Sequence, residues 1–368
     1  VQPLPARGSP TALVKTPGFA QCWPASRRTA ISRRATIYEI ATAAGVSPKT
    51  VSRVLNDEPF VKDAVRERVK AIAKDLHYQP NITAKGLITR RSFMIGLTYE
   101  RPSPSYVVEL QRGVLERLAD ERFRMIILPF RDVTARSDEF VAFLRSAALD
   151  GVVLAPPASD QIDVLDRLDE AGMRYGRIAP QLDQARGACS LLDDAAAAHE
   201  AAEHLLALGH RRLAVILGDP THRASAARSD GYARAFAAHG IATDEVVTEP
   251  GDFTLASGEV AMQRILARPG PRPTAVLAQN DDMAVGAITV AREAGLAVPA
   301  DLSVVGFDDS DISRLIMPKL TTVRQPVFDM AVSATQGLLK LLAGEPAPPP
   351  VRHAHELLIR QSTAAPAS

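Results

Sequence analysis

The sequence predicts a small all-helical head followed by an α/β body of two doubly wound lobes, on three observations. Residues 36–56, TIYEIATAAGVSPKTVSRVLN, pair two short amphipathic helices across a glycine turn. From residue 93 onward, apolar runs alternate with amphipathic helices. Charge divides along the same line: residues 1–91 carry +10 and the remainder −9, in a chain of 368 residues whose net charge is only +1. A basic head on an acidic body suits a protein that presents one end to phosphates and keeps the other away from them.

In the head, Ile37, Ile40, Ala41 and Ala44 fall on one face of the first helix. Gly45 breaks that helix and Val46 pins the turn. Ser47 is a good N-cap, and Pro48 suits the first helical position, where its missing N–H would have no partner anyway. In the second helix Val51, Val54 and Leu55 point inward, while Lys49, Thr50, Ser52 and Arg53 point out. A solvated helix carries such outward residues too. With a glycine turn between two short helices, the pattern fits a helix-turn-helix, whose second helix enters the major groove of DNA. Val65, Val69, Ile72 and Leu76 then predict a third helix that closes a three-helix core. The head is set at 36–80.

Residues 1–35 hold six Arg or Lys and no acid, and they are rich in Pro, Ser and Ala without apolar periodicity. They read as a disordered extension. Lys15 and Pro17 interrupt their longest apolar run, so a signal-peptide core or membrane span is not expected there, and no membrane partner is expected. Cys22 and Cys189 are too few and too far apart for a disulfide framework or metal knuckle, which fits a reducing cytoplasm. His199, His204, His210, His353 and His355 lack ligand-like spacing with acids or thiols, so neither a metal nor any other cofactor is expected. With 46% hydrophobic residues, the chain can bury a sizeable core across two or three domains.

The body alternates in order. Strands are predicted at 93–99, 123–130, 151–157, 174–178, 212–218, 245–248, 275–280 and 302–309. Helices are predicted at 106–122, 139–148, 162–171, 195–208, 228–239, 258–266 and 283–294. Strands that alternate with helices imply parallel sheets covered on both faces, and two such rounds imply two lobes. A ligand is then expected in the cleft facing the carboxyl ends of the strands.

The motif at 36–56, followed by LHYQPNITAKGLITRRS at 76–92, resembles the lactose-repressor (LacI/GalR) family of bacterial transcription regulators. The family pattern is matched at Thr36, Ala41, Ala44, Gly45, Val46, Ser47, Thr50, Val51, Ser52, Arg53, Val54, Leu55 and Asn56, with Glu39 where Asp is usual. The resemblance runs from about residue 36 to 363, and its core is shared with periplasmic sugar-binding proteins. It implies three crossings between lobes, expected near 190–193, 322–325 and 348–351. The first lobe is thus placed at 93–191 and 323–347, and the second at 192–322 and 348–363, with a tail at 364–368. It also implies that 81–92 is a hinge that folds on DNA, with Asn81 and Lys85 on the DNA and Leu87 wedged into the minor groove. Gly86 costs about 1 kcal/mol against Ala in that helix, so the hinge should melt easily.

Base-edge contacts are expected from Lys49, Thr50 and Arg53, and apolar contact from Pro48. Phosphate contacts are expected from Tyr38, Ser47, Ser52, Asn56 and Tyr78. For the effector, the resemblance points to Arg228 in ASAARSDGY, Asn280 in QNDDMAVGA, Asp308 in VVGFDD and Phe253 in GDFT. A guanidinium, an amide and a carboxylate together serve vicinal hydroxyls, and a ring offers an apolar wall. An Asp ending a strand also caps loops, an Asn before a helix also makes turns, and a lone Phe also fills cores. Ala179 stands where the family often has an acid, so Glu100, Ser103, Ser105 and Tyr106 are the first-lobe candidates.

The sequence therefore predicts a dimeric repressor of carbohydrate genes, released from a pseudopalindromic double-stranded operator by a sugar. One recognition helix covers few base pairs, and two related by symmetry add their free energies. The alternatives are a purine or phosphorylated corepressor and, further off, a sugar transport protein. No nucleophile–base pair, phosphate loop or metal motif suggests an enzyme.

Overall fold

The computed structural model describes residues 35–55, 57–78, 91–100 and 103–367, and contacts divide the chain into two units, Val1–Asn81 and Ile82–Ser368.

The first unit holds α1 (Ile37–Ala44), α2 (Pro48–Leu55) and α3 (Asp63–Asp75). Thr36 and Glu39 form a reciprocal capping box at the start of α1: Glu39 N donates to Thr36 Oγ1 at 3.3 Å and Thr36 N to Glu39 Oε2 at 2.7 Å. Gly45 takes the left-handed conformation (φ 61°) that ends α1, which an L side chain adopts only at a cost. Ser47 then caps α2 by accepting Thr50 N at 3.1 Å. Ile40, Ala41, Ala44, Val51, Val54, Val69 and Ala73 form the buried core, with Val65 and Ile72 packed around it. Leu76 departs from its expected place in the stripe. The helix stops at Asp75, His77 turns the chain at φ 47°, and Leu76 is left exposed while Tyr78 packs against the core instead.

The second unit is two stacked α/β lobes. Six strands build the first sheet: β1 (Met94–Thr98), β2 (Arg124–Ile127), β3 (Gly151–Leu154), β4 (Arg174–Ile178), β5 (Ala188–Leu191) and β11 (Val351–Arg352). They run in the order β11-β5-β4-β3-β1-β2, and every pairing is parallel. Helices α4 (Pro104–Leu118), α5 (Ser137–Ser146), α6 (Ile162–Glu170) and α12 (Val327–Leu342) accompany it. The second sheet orders β12 (Glu356–Leu358), β10 (Thr321–Arg324), β9 (Ser303–Asp308), β8 (Ala275–Ala278), β6 (Leu213–Ile216) and β7 (Val247–Glu249). It carries α7 (Asp194–Ala207), α8 (Arg223–Ala238), α9 (Leu255–Ala267), α10 (Asp281–Glu293) and α11 (Asp311–Leu315). The central strands β3, β6 and β8 are buried along their whole length, as strands covered on both faces require, while the edge strands β2, β7, β11 and β12 keep exposed or half-buried residues.

Three details differ from expectation. β12 pairs antiparallel with β10, so the second sheet is mixed at its edge. Val323 and Arg324 still pair with β9, so the second lobe runs past its expected bound at 322, while the second crossing, after Arg324, keeps to the expected 322–325. The third crossing falls between Arg352 and Glu356 rather than at 348–351, because Val351 and Arg352 pair with Ser190 and Leu191 and satisfy the open edge of β5.

The C-terminal segment straps the second lobe. Val304 N donates to Ser362 O at 2.8 Å, and Thr321 N donates to Ser362 Oγ at 2.8 Å. Ala364 N donates to Ser303 Oγ at 3.0 Å, and buried His210 donates from Nε2 to Ala364 O at 2.9 Å. Ala364, expected to begin a free tail, is therefore held.

Candidate functional site

The carboxyl ends of the parallel strands of both lobes meet at one cavity of about 540 Å³, counted to its open mouth. From the second lobe it is lined by Asp194, His222, Ala224, Arg228, Phe253, Asn280 and Asp308, and from the first by Ser103, Tyr106, Pro156 and Ala179; Gln325 at the second crossing completes the wall.

Arg228, on α8, is buried, and its Nε donates to Asp194 Oδ1 at 2.9 Å. Its Nη1 donates to the carbonyl of Gln279, and its guanidinium lies 3.7 Å from the centre of the Phe307 ring. α8 reaches α7 closely enough for this pair because Gly231 has no Cβ; one there would collide with Ala195 O. Asp193 caps α7 by accepting Ala196 N at 2.9 Å, which frees its neighbour Asp194 to face Arg228. Asp194 Oδ2 also accepts Gln181 Nε2 at 2.9 Å, from the first lobe. Burial pushes the Asp194 carboxyl up, against the opposing pull of Arg228.

Asn280 sits two residues after the end of β8. Its Oδ1 accepts Met283 N at 2.9 Å, capping α10, and its Nδ2 donates to Phe253 O at 2.8 Å. It is a cap and a lining residue at once. Asp308 ends β9, and its Oδ1 accepts Gln325 Nε2 at 2.5 Å. Burial raises its carboxyl to about 7, with Arg228 and Gln325 opposing and the neighbouring Asp282 and Asp194 adding to the rise. The adjoining loop is held by Asp281, which accepts Ser310 N at 2.8 Å and Thr322 Oγ1 at 2.6 Å. Asp309 turns the other way, into a cluster with Arg314, Arg324 and Arg360.

Ala179, Phe253 and Asp308 all hold positive φ, at 48°, 67° and 129°. Such strain in L residues concentrates where structure is imposed for function. Phe253 meets His222 edge-on, with ring centroids 5.3 Å apart, and burial drives His222 down to about 4, leaving it neutral. Tyr106 faces the charged cluster across the cleft: burial raises its phenol first, then Asp308 and Asp194, while Arg228 lowers it. Ser103 caps α4 by accepting Tyr106 N at 3.4 Å.

The cavity thus unites Ser103, Tyr106, Arg228, Phe253, Asn280 and Asp308. Ser105 is half-buried on α4 outside the lining, and Glu100 is spent on the turn below, accepting Asp132 N at 2.8 Å. Asp194, His222, Gln325, Pro156 and Ala224 are additions that sequence reasoning missed. The Asp193–Asp194 pair ahead of an Ala-rich helix was the available signal for Asp194, since one helix needs one cap.

In the first unit, Lys49 and Arg53 stand exposed on α2, Thr50 and Ser52 are partly covered, and Pro48 opens the helix. Thr50 Oγ1 lies 2.9 Å from Ser47 Oγ, and Arg53 Nε lies 3.7 Å from Glu58. Tyr38 is 70% exposed on α1, whereas burial raises the phenol of Tyr78. Asn56, Asn81, Lys85 and Leu87 lie outside the described residues.

A three-helix unit with a polar second helix, joined in one chain to a two-lobed core with a polar cleft, defines a ligand-responsive DNA-binding protein. Residues 36–81 match the family model of bacterial regulatory proteins, lacI family, and residues 202–363 match a periplasmic binding protein-like domain. The probable HTH-type transcriptional repressor ExuR of Bacillus subtilis is 32% identical over 84% of this chain and 92% of its own. The HTH-type transcriptional repressor PurR of Erwinia tasmaniensis is 33% identical over 83% and 89%. Among solved structures, the transcriptional regulator CelR–cellobiose complex matches at 32% identity and TM-score 0.66, covering 89% of this chain and all of that one. The lac repressor dimer bound to operator and the anti-inducer ONPF matches at 26% identity and TM-score 0.80, covering 90% and all of that chain. The chain belongs to the lacI family and is a DNA-binding transcription regulator; these relatives are regulators, not enzymes. Among the described residues, no helix is long and apolar enough to cross a membrane.

Proposed function

We propose that the protein is a dimeric repressor whose cleft binds a sugar, and that sugar binding releases a pseudopalindromic operator. The observation that carries this reading is the convergence of Arg228, Asn280 and Asp308 with Tyr106 and Phe253 on one cavity between two lobes. That set supplies donors and acceptors for vicinal hydroxyls beside aromatic walls. The similarity to a regulator solved with cellobiose supports it. A ligand that draws the lobes together acts on DNA only through its differential affinity for the two states, and the operator weakens ligand by the same factor.

On the DNA, Lys49, Thr50 and Arg53 read base edges from α2, with Pro48 in apolar contact. Tyr38, Ser47, Ser52, Asn56 and Tyr78 hold phosphates. Asn81, Lys85 and Leu87 belong to the hinge that folds on the operator, and Leu87 enters the minor groove. The protein acts in the cytoplasm, where its operator lies, by binding alone.

Similarity to a PurR repressor and the flat Tyr106 and Phe253 walls favour a second reading, a purine that tightens the operator complex. Calorimetry with cellobiose, glucose and hypoxanthine, run beside gel shifts, separates the two. A sugar that binds and loosens DNA supports the first reading; hypoxanthine that binds and tightens DNA replaces it.

A further inference from the structure

The first-lobe wall of the cavity has a rim that carries no polar side chain. Its residues are Pro156 and Ala179, which follow the adjacent parallel strands β3 and β4. Register pairs Leu154 with Arg177, so the two residues stand level, each two positions further on. Neither offers an N–H to a ligand. Proline has none, and Ala179 N already donates to Ser190 O at 2.8 Å. Pro157 and Pro180, next in sequence after each, have none either. The lining hydroxyls of the first lobe, Ser103 and Tyr106, belong to the start of α4 and not to this rim. Ala179 is also held at φ 48°, where Gly, Asn and Asp are the easier occupants. The chain thus keeps a methyl group at a place where the backbone would favour a polar side chain. Across the cleft, Arg228, Asn280 and Asp308 line the opposite wall with polar groups.

We infer that this cleft is built for a 6-deoxyhexose, a sugar that bears a methyl group where the common hexoses carry a hydroxymethyl. The inference rests on the reading of the cavity as a sugar site. In a pyranose, the C2–C3 diol and C5, which bears C6, lie on opposite edges of the ring. With the diol on the polar wall, C6 faces Pro156 and Ala179. A methyl there buries apolar surface against apolar surface. A hydroxyl there gives up water and meets neither an N–H donor nor a polar side chain, and it is penalised for that. Selectivity of this kind comes from the unfavourable partner as much as from any added attraction.

The test is calorimetry of the full chain with matched pairs: 6-deoxy-D-glucose against D-glucose, D-fucose against D-galactose, L-rhamnose against L-mannose, and L-fucose against L-galactose. In whichever pair binds, the 6-deoxy member should bind at least about tenfold more tightly. Ala179→Asn suits the left-handed backbone and adds an amide to the rim, so it should shrink that ratio at least about threefold. Ala179→Gly suits the same backbone and adds nothing polar, so it should leave the ratio within about twofold. The ratio cancels any loss common to both members, so it reads the rim and not the fold. Equal or tighter binding of the hydroxymethyl member overturns the inference while leaving the sugar reading in place. Failure of every pair to bind at millimolar concentration overturns it too; cellobiose bound in the same experiment then keeps the sugar reading, and hypoxanthine bound instead replaces it. A ratio unchanged in Ala179→Asn, or shrunk equally by Ala179→Gly, overturns the assignment of the preference to this rim.

Discussion

The two lobes face each other across the cleft with opposite chemistry. The second contributes Asp194, Arg228, Asn280 and Asp308, the first three pre-set by bonds to one another or to backbone and Asp308 by the Gln325 amide. The first contributes Tyr106, Pro156, Ala179 and the capping hydroxyl of Ser103. On the proposed function, the second lobe recognises and the first lobe seals. Pre-organised polar groups lose little freedom when a ligand arrives, and an apolar wall excludes water without demanding particular hydroxyls.

The strongest way to break this contrast is Arg228→Ala. It should abolish ligand binding and also cost about 3 kcal/mol of stability, because Asp194 is left buried without its partner. Urea unfolding of the variant beside wild type measures the cost, and an unshifted midpoint would show that the pair does not support the second lobe. A variant this damaged is a poor probe of recognition, so Asp308→Asn is the sharper one.

Asp308→Asn should weaken a bound sugar by about 1.5–3 kcal/mol, tenfold or more. It also has a pH signature. Asp308 holds its proton up to about 7 in the fold, whereas an unfolded Asp releases it near ~3.9. The native state binds the extra proton between those values, so wild-type stability falls as pH rises through that window and levels off above about 7. Asn does not titrate. Unfolding at pH 5 and pH 8 should show the variant gaining on wild type at the higher pH, and a constant difference would refute the raised carboxyl.

Arg53→Ala lies outside both lobes and serves as the control. Operator affinity should drop by about 1–3 kcal/mol in footprinting while calorimetry shows sugar binding unchanged. An unchanged footprint would mean that α2 is not the reading helix. The smallest effect belongs to the sealing lobe. Tyr106→Phe keeps the ring and should change affinity less than about threefold, whereas Tyr106→Ala loses a contact worth about 0.5–1.5 kcal/mol. A large loss in Tyr106→Phe would give the first lobe a recognising role.

The head was nearly all legible, because its core follows helical spacing and its turn is set by Gly45 and Ser47. Leu76 misled because periodicity does not say where a helix stops. Alternation of apolar runs revealed the strands as far as β9 except β5, whose four residues at 188–191 follow a loop and no helix, so no alternation marks them. Beyond β9, β10, β11 and β12 are too short to show a pattern, and their partners lie far away in sequence. In the cleft, Asn280 was legible as a candidate and also as a cap, and both are true of it. Asp194 was hidden because its role depends on how closely α7 and α8 approach, which Gly231 decides. Glu100 looked available only because the turn it holds, at Asp132, cannot be inferred from local sequence.

The late strands and the C-terminal strap set an order of events during synthesis. β5 gains its outer neighbour from residues 351–352, and β9 gains β10 and the Ser362 bonds from residues beyond 320. Neither lobe can finish its sheet while that stretch is still inside the ribosome. The nascent chain therefore emerges with two unpaired strand edges, at β5 and β9, which are the sites a chaperone would cover and a neighbouring nascent chain would mispair with. The cleft itself is lined by residues up to Gln325, so its wall is complete in sequence before the strap that closes the second sheet has been made.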